Sequence, residues 1–206
     1  MRWLSRGVRL FRNLVRDLRY GAFLGGVKKT PHGECGAYDT ANSGYQALEQ
    51  IFSHPGVAAL VRNRTVVDVG CGKGRVLNFL IDALPGQTIL GVEIDEAVAK
   101  RVARRLKRHR NVTIRAGDVR NLELPDDAVF YLFNPFDASV MREFADRLVR
   151  EDRRGSVLIY YNPMHVDIFE ADPNFELREI KLGAGYHRCA LIGVRPGNTA
   201  TEPASG

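Results

Sequence analysis

The chain predicts an α/β fold, an open and mostly parallel sheet with helices on both faces. Three observations carry that prediction. Runs of β-branched and aromatic residues at 65–69, 88–92, 111–115, 128–133 and 156–161 alternate with segments whose apolar residues recur every three or four positions, the pattern of strand–helix–strand units. A glycine-rich turn, Gly70, Gly72 and Gly74, joins the first strand to the first of those helices. Three carboxylates, Asp68, Glu93 and Asp118, fall at the ends of three successive strands, and in an open parallel sheet such ends border one crevice.

At 206 residues the chain has room for one such domain with short appendages. Hydrophobic residues make up 45% and charged residues 26%, as in ordinary globular proteins. No run approaches the ~18 apolar residues of a membrane span. Cys35, Cys71 and Cys189 lie far apart without a CxxC pair, which argues against zinc and a disulfide framework and fits a reducing cytoplasm. The net charge of +6 is unevenly spread: residues 1–29 hold eight Lys or Arg and one acid, Asp17, for +7, while the rest holds 22 basic and 23 acidic residues for −1. The chain therefore divides into a basic amphipathic helix within 1–29, a domain over 30–195, and a Gly/Pro/Ser/Thr-rich tail at 196–206 expected to be disordered.

Taken in order, residues 2–20 are strongly amphipathic. At ~100° per residue, Arg2, Arg6, Arg9, Arg12, Arg16 and Arg19 share an arc of roughly 140°, with Leu4, Val8, Phe11, Leu14, Val15 and Leu18 opposite. Such a helix suits an anionic membrane surface, an anionic partner such as RNA, or docking on the domain with its arginines solvated. The first reading would make a cytoplasmic protein peripheral at the membrane. The segment has the Arg-rich, acid-poor character of a transit peptide, although Ser is scarce. It lacks the uninterrupted apolar core of a secretory signal. Glycines between 21 and 36, with Pro31, break the helix. Tyr38, Asp39 and Thr40 then read either as a ligand cover or as a turn. Asn42 or Ser43 is expected to cap a helix carrying Tyr45, Leu48, Ile51 and Phe52.

The turn after the first strand is not the dinucleotide fingerprint, because G-x-G-x-x-G needs a glycine where Arg75 stands. No Walker lysine pattern is present either. Glu93 lies about 20 residues further on, where a carboxylate can accept both hydroxyls of a ribose. Asp95 is placed to cap a helix over 96–109 whose Val98, Val102 and Leu106 face inward, and the seven basic residues between 100 and 110 read as a solvated face. The fourth strand ends in Asn134-Pro135-Phe136, and a helix over 140–150 follows. The fifth ends in a second Asn-Pro, at Asn162, followed by His165, which reads as structural rather than as a base. Residues 175–182 and 186–194 flank Gly183-Ala184-Gly185 and read as an antiparallel pair.

Asp68 with Gly70-Cys71-Gly72-Lys73-Gly74-Arg75 resembles motif I of the class I S-adenosyl-L-methionine (SAM) methyltransferases, and the resemblance extends over residues 35–195. It implies a Rossmann-like, seven-strand methyltransferase sheet with an antiparallel last strand, SAM as cofactor, and an enzyme that transfers methyl groups. It implies that Asp68, Gly70, Cys71, Gly72 and Gly74 pack on the methionine moiety and that Glu93 holds the ribose. Asp118 would take the adenine amine, with Ile94 and Val119 on the ring, and Tyr38 and Thr40 would cover the cofactor. Asn134, Pro135 and Phe136 match the family's fourth motif beside the transferable methyl, where Asn134 meets cofactor and acceptor alike. The set is similar to the N-P-P-[YF] of amino-directed enzymes but one proline short, which argues against adenine-N6 chemistry. A sulfonium methyl is already activated, so no metal and no nucleophilic Cys or Ser is expected. The lid, loop and Asn-Pro-Phe set are loosely similar to bacterial relatives of Dot1-type lysine methyltransferases. The acceptor is thus read as an amine on a protein side chain or small molecule. RNA, anchored by the basic helix, and a non-catalytic SAM-binding module are the alternatives.

Overall fold

The computed structural model describes residues 2–26, 29, 32–38, 43–153 and 155–195, with side chains at 7, 8 and from 10 onward. Asp39, Thr40, Asn42 and the 196–206 tail lie outside the described residues. Seven strands form one sheet: β1 (Thr65–Val69), β2 (Ile89–Glu93), β3 (Val112–Ala116), β4 (Ala128–Phe133), β5 (Val157–Tyr161), β6 (Phe175–Ile180) and β7 (Cys189–Val194). Their order is β3-β2-β1-β4-β5-β7-β6. The first five are parallel, and β7 inserts antiparallel between β5 and β6. The expected sheet, antiparallel last strand included, is the one observed.

The strands take this form because β1, β2, β4 and β5 are covered on both faces and read as nearly continuous apolar runs. The edge strands β3 and β6 mix in polar residues that face solvent. Neighbouring residues feed opposite cores, as the pleat requires. Val66 joins Leu48, Ile51, Leu77, Leu80 and Val102 on one face. Val67 joins Leu132, Val140, Phe144, Leu148 and Phe169 on the other. The first core is roofed by α2 (Tyr45–Ser53), α3 (Pro55–Val61), α4 (Arg75–Ala83) and α5 (Glu96–Leu106). The second is roofed by α6 (Ala138–Arg150) and α7 (Asp167–Glu170).

Several local expectations change. α3 and α7 were not anticipated; Pro55 opens α3 at the position where proline suits a helix, its φ preset and its missing N–H not needed. The cap of α2 is Gly44, without a side-chain bond. Ser43 instead bonds the Tyr131 hydroxyl at 2.7 Å, because a phenol buried in the core must find a partner there. Asp95 does cap α5, accepting from Val98 N at 3.0 Å, and Asp137 caps α6 in the same way through Val140 N.

The N-terminal helix, α1 (Arg2–Arg19), docks on the domain, with Arg12 and Arg19 exposed and Arg16 drawn inward. Its one acid, Asp17, is fully buried and takes Nε of Arg75 at 3.0 Å and Nη2 at 2.5 Å. The Tyr45 hydroxyl and the Leu24 N–H also donate to that carboxylate. Arg16 lies 4.2 Å above the Tyr45 ring and pairs with Glu49. Arg16, Asp17 and Tyr20 face the domain, and Val8, Phe11, Val15 and Leu18 face water.

Candidate active site and cofactor cleft

Strand order reverses direction between β1 and β4, and at that switch point the carboxyl ends of adjacent strands diverge. A cleft of about 900 Å³, open mouth included, lies there. Tyr38, Asp68, Gly70, Cys71, Glu93, Ile94, Asp118, Val119, Asn134, Pro135 and Phe136 all line it. Gly72 and Gly74 act behind the wall. The Gly72 N–H donates to Glu93 Oε2 at 2.8 Å. Gly74 has φ 82°, and a Cβ there would stand 2.7 Å from Arg105 Nη2 and 2.9 Å from Val102, so glycine at 74 serves helix packing. At Gly70, with φ 72°, a Cβ would come to 3.0 Å from the Pro135 ring and narrow the cleft.

The three acids sit in unlike surroundings. Glu93 is buried, and each oxygen takes one backbone N–H, from Gly72 and from Asp95 (2.9 Å). The carboxylate is thereby fixed, with a lone pair on each oxygen still open. Asp68 is buried, and its Oδ2 has no hydrogen-bond partner. Burial and then the neighbouring Glu93 charge push its carboxyl up to about 8. Burial also pushes Asp118 up, but its bonds from the Arg120 guanidinium and N–H outweigh that and hold it below the usual range. Arg120 therefore already occupies both Asp118 oxygens. Burial raises the Cys71 thiol well above its ordinary value, so it packs as a neutral group.

On the opposite wall Asn134 has φ 45°, a left-handed conformation that asparagine tolerates better than most residues. Asn162, at the end of β5, has φ 53°. Both Asn-Pro pairs therefore answer a backbone need at the strand ends. The Asn134 amide is oriented as well, its Oδ1 accepting from the Tyr160 hydroxyl at 3.0 Å. The Pro135 carbonyl accepts the Tyr38 N–H at 3.0 Å, Asp137 N–H donates to the Gly36 carbonyl at 2.8 Å, and Ala37 bridges to Phe136. Residues 36–38 thus form a strap fixed across the mouth. At its outer end the Tyr38 hydroxyl meets His165 Nε2 at 3.2 Å.

Half of the lining escaped sequence reasoning, including the polar and aromatic residues Arg75, Ser43, Tyr131 and Phe133. Arg75 had no signal, since its partner Asp17 has eight basic residues within its own segment. The others had none either, because hydroxyls and rings of this kind are ordinary core residues. Among the described residues, no group of three or more His, Cys, Asp or Glu side chains is placed to hold a metal.

The residues present fit an adenosyl sulfonium with a free amino-acid end. The cleft has a buried acid with one unpartnered oxygen, a carboxylate held in place through both oxygens, and a wall at Gly70 that any side chain would narrow.

A methyltransferase-domain family matches residues 66–154. No curated protein matches the chain by sequence. Among solved structures, the fold is similar to that of a putative O-methyltransferase from Klebsiella pneumoniae, at 17% identity over 91% of this chain and 90% of that one, TM-score 0.59. It is similar to a methyltransferase from Pyrococcus furiosus, at 17% identity over 93% and 98% of the two chains, TM-score 0.58. It is also similar to the O-methyltransferase TomG from Streptomyces achromogenes, solved in complex with SAM, at 18% identity over 91% and 99%, TM-score 0.55.

Proposed function

We propose that the chain is a class I, Rossmann-like methyltransferase that uses SAM and methylates an amine, on a protein side chain or a small molecule, a reading supported by the methyltransferase-domain match over residues 66–154. The observation that carries the cofactor assignment is Asp68 Oδ2, buried and without a partner beside the fixed Glu93. A buried carboxyl in that position calls for a cationic donor, and the α-ammonium of SAM is one. Glu93 has an open lone pair on each oxygen for the ribose hydroxyls. Asp118, with Arg120 fixing it, keeps its remaining lone pairs for the adenine amine, and Ile94 and Val119 supply apolar contact to the ring. Tyr38, and Thr40 by the same reading, would cover the cofactor.

When bound, SAM supplies a methyl on a sulfonium. What remains for the chain is alignment and exclusion of water. Asn134 Oδ1, turned by Tyr160, is the acceptor-side hydrogen-bond acceptor for an N–H. Phe136, buried against Phe144, shapes the wall beside it. The Pro135 carbonyl already receives Tyr38 N–H, so Asn134 bears most of the positioning. A hydroxyl acceptor is the second reading, favoured by the Tyr38–His165 contact at the mouth, where an imidazole nitrogen is within reach of an alcohol proton. We also infer that α1 meets an anionic surface, bilayer or RNA, as a unit distinct in charge from 30–195, and that the protein is cytoplasmic.

Labelled SAM offered with a cell lysate tests the acceptor. The amine reading expects label in protein or amine-bearing small molecules, in bonds stable to alkali. Label in RNA, or in alkali-labile esters, would overturn it. A protein that binds SAM tightly and transfers nothing would be a binding module.

A further inference from the structure

We propose that α1 is an interfacial membrane helix whose apolar stripe seats in the surface of an anionic lipid bilayer. This rests on the anionic-surface reading of α1 and is independent of the methyl acceptor.

The stripe is built from Val8, Phe11, Val15 and Leu18, which on an ideal helix fall within an arc of roughly 80°. They are 55%, 65%, 45% and 56% exposed. Phe23, just beyond the helix, is 66% exposed as well. A docked amphipathic helix ordinarily turns such a stripe into the core. Here the domain holds the opposite side, through Asp17 on Arg75, Arg16 on Tyr45 and Glu49, and the Tyr20 hydroxyl on Asp82. The stripe is therefore left outward by a specific set of polar contacts.

Charge selects the occupant. The only acid in residues 1–29 is buried in the ion pair with Arg75, so the outward surface of α1 carries no negative group. Arg12 is exposed beside the stripe, and so is Arg19, with 64% of its side chain in water and only a 3.9 Å contact to Asp82. An anionic bilayer satisfies both halves, phosphates meeting the arginines and acyl chains taking the stripe. RNA would satisfy the arginines but leave aliphatic Val8, Val15 and Leu18 in water, since bases stack on aromatic and guanidinium planes. A second copy would cover the stripe but bring two segments of +7 together.

The test uses the full chain and co-sedimentation with vesicles, either phosphatidylglycerol-rich or pure phosphatidylcholine. The wild type should sediment with the first and far less with the second, and salt should weaken the binding. The double variant Phe11→Glu with Leu18→Glu should lose roughly 100-fold in partitioning, and Arg12→Glu with Arg19→Glu should lose binding to the anionic vesicles. Both should keep SAM affinity by calorimetry, which shows them folded. Equal binding to both vesicle types would overturn the anionic part of the proposal. RNA binding without vesicle binding, unaffected by the stripe variant, would overturn the bilayer and leave the anionic reading standing. Binding to neither would overturn both. A dimer abolished by Phe11→Glu with Leu18→Glu, in a chain that ignores vesicles, would give the stripe to a second copy.

Discussion

The cleft and α1 are both built from acids facing cations or cation sites, yet they solve opposite problems. At the cleft, Asp68 is buried with one oxygen unpartnered, and the sheet bears the cost of keeping it so. In α1, Asp17 is buried with its partners complete, from Arg75, Tyr45 and the Leu24 backbone. A buried carboxylate whose needs are met is architecture; one whose needs are unmet is a site for something else. Arg75 belongs to both regions, because it lines the cleft while holding α1. The glycine loop is tied to the N-terminal segment again by Lys73 Nζ on the Gly25 and Gly26 carbonyls, and by Arg105, which bonds the Tyr20 and Lys73 carbonyls.

The largest expected effect breaks the architectural half. Asp17→Ala leaves the Arg75 charge buried without its partner and should cost about 3–5 kcal/mol of stability by denaturant unfolding. A loss under ~1 kcal/mol would mean that the ion pair does not hold α1 to the domain. Next comes the cofactor half. Glu93→Ala removes the proposed diol acceptor and frees the Gly72 and Asp95 N–H groups, and SAM affinity should fall about 100-fold. Asn134→Ala should lower turnover about 10- to 100-fold with SAM affinity nearly unchanged. Abolished SAM binding there would move Asn134 from the acceptor to the cofactor. The smallest effect is that of Asp118→Ala, about tenfold in SAM affinity, because Arg120 already takes much of that carboxylate's capacity. Unchanged calorimetric affinity in both Glu93→Ala and Asp118→Ala would refute their cofactor roles.

The two regions also differ in how far they could be read without coordinates. Strand positions and the gathering of Asp68, Glu93 and Asp118 were legible because a parallel sheet leaves few places for a strand-end residue to go, while the seven-strand topology followed from the motif I resemblance. Element ends shifted by a residue or several, as at α5, which stops at Leu106 rather than 109. The orientation of α1 was not legible. A helical wheel gives two faces but not which one the domain takes, and here tertiary contacts, Asp17 with Arg75 and Arg16 with Tyr45 and Glu49, hold the chosen one. The partners of Ser43, Tyr38 and Asn134 were hidden for the same reason, each lying across the sheet or in another loop.

The central claim concerns Asp68, and SAM calorimetry across pH tests it most directly. With its carboxyl pushed up to about 8, Asp68 is mostly protonated at neutral pH in the free protein. It must ionise to hold an ammonium. Affinity should therefore rise up to about tenfold per pH unit below about 8 and flatten above it, with proton release on binding. The folded carboxyl also lies above its unfolded value, so stability falls as pH climbs through that interval. Asp68→Asn, which cannot ionise, should raise Tm at neutral pH by a few degrees (roughly 2–8 °C) while removing both tight binding and its pH slope. Wild-type affinity that ignores pH, or an Asn variant that binds SAM as well as the wild type, would contradict the account.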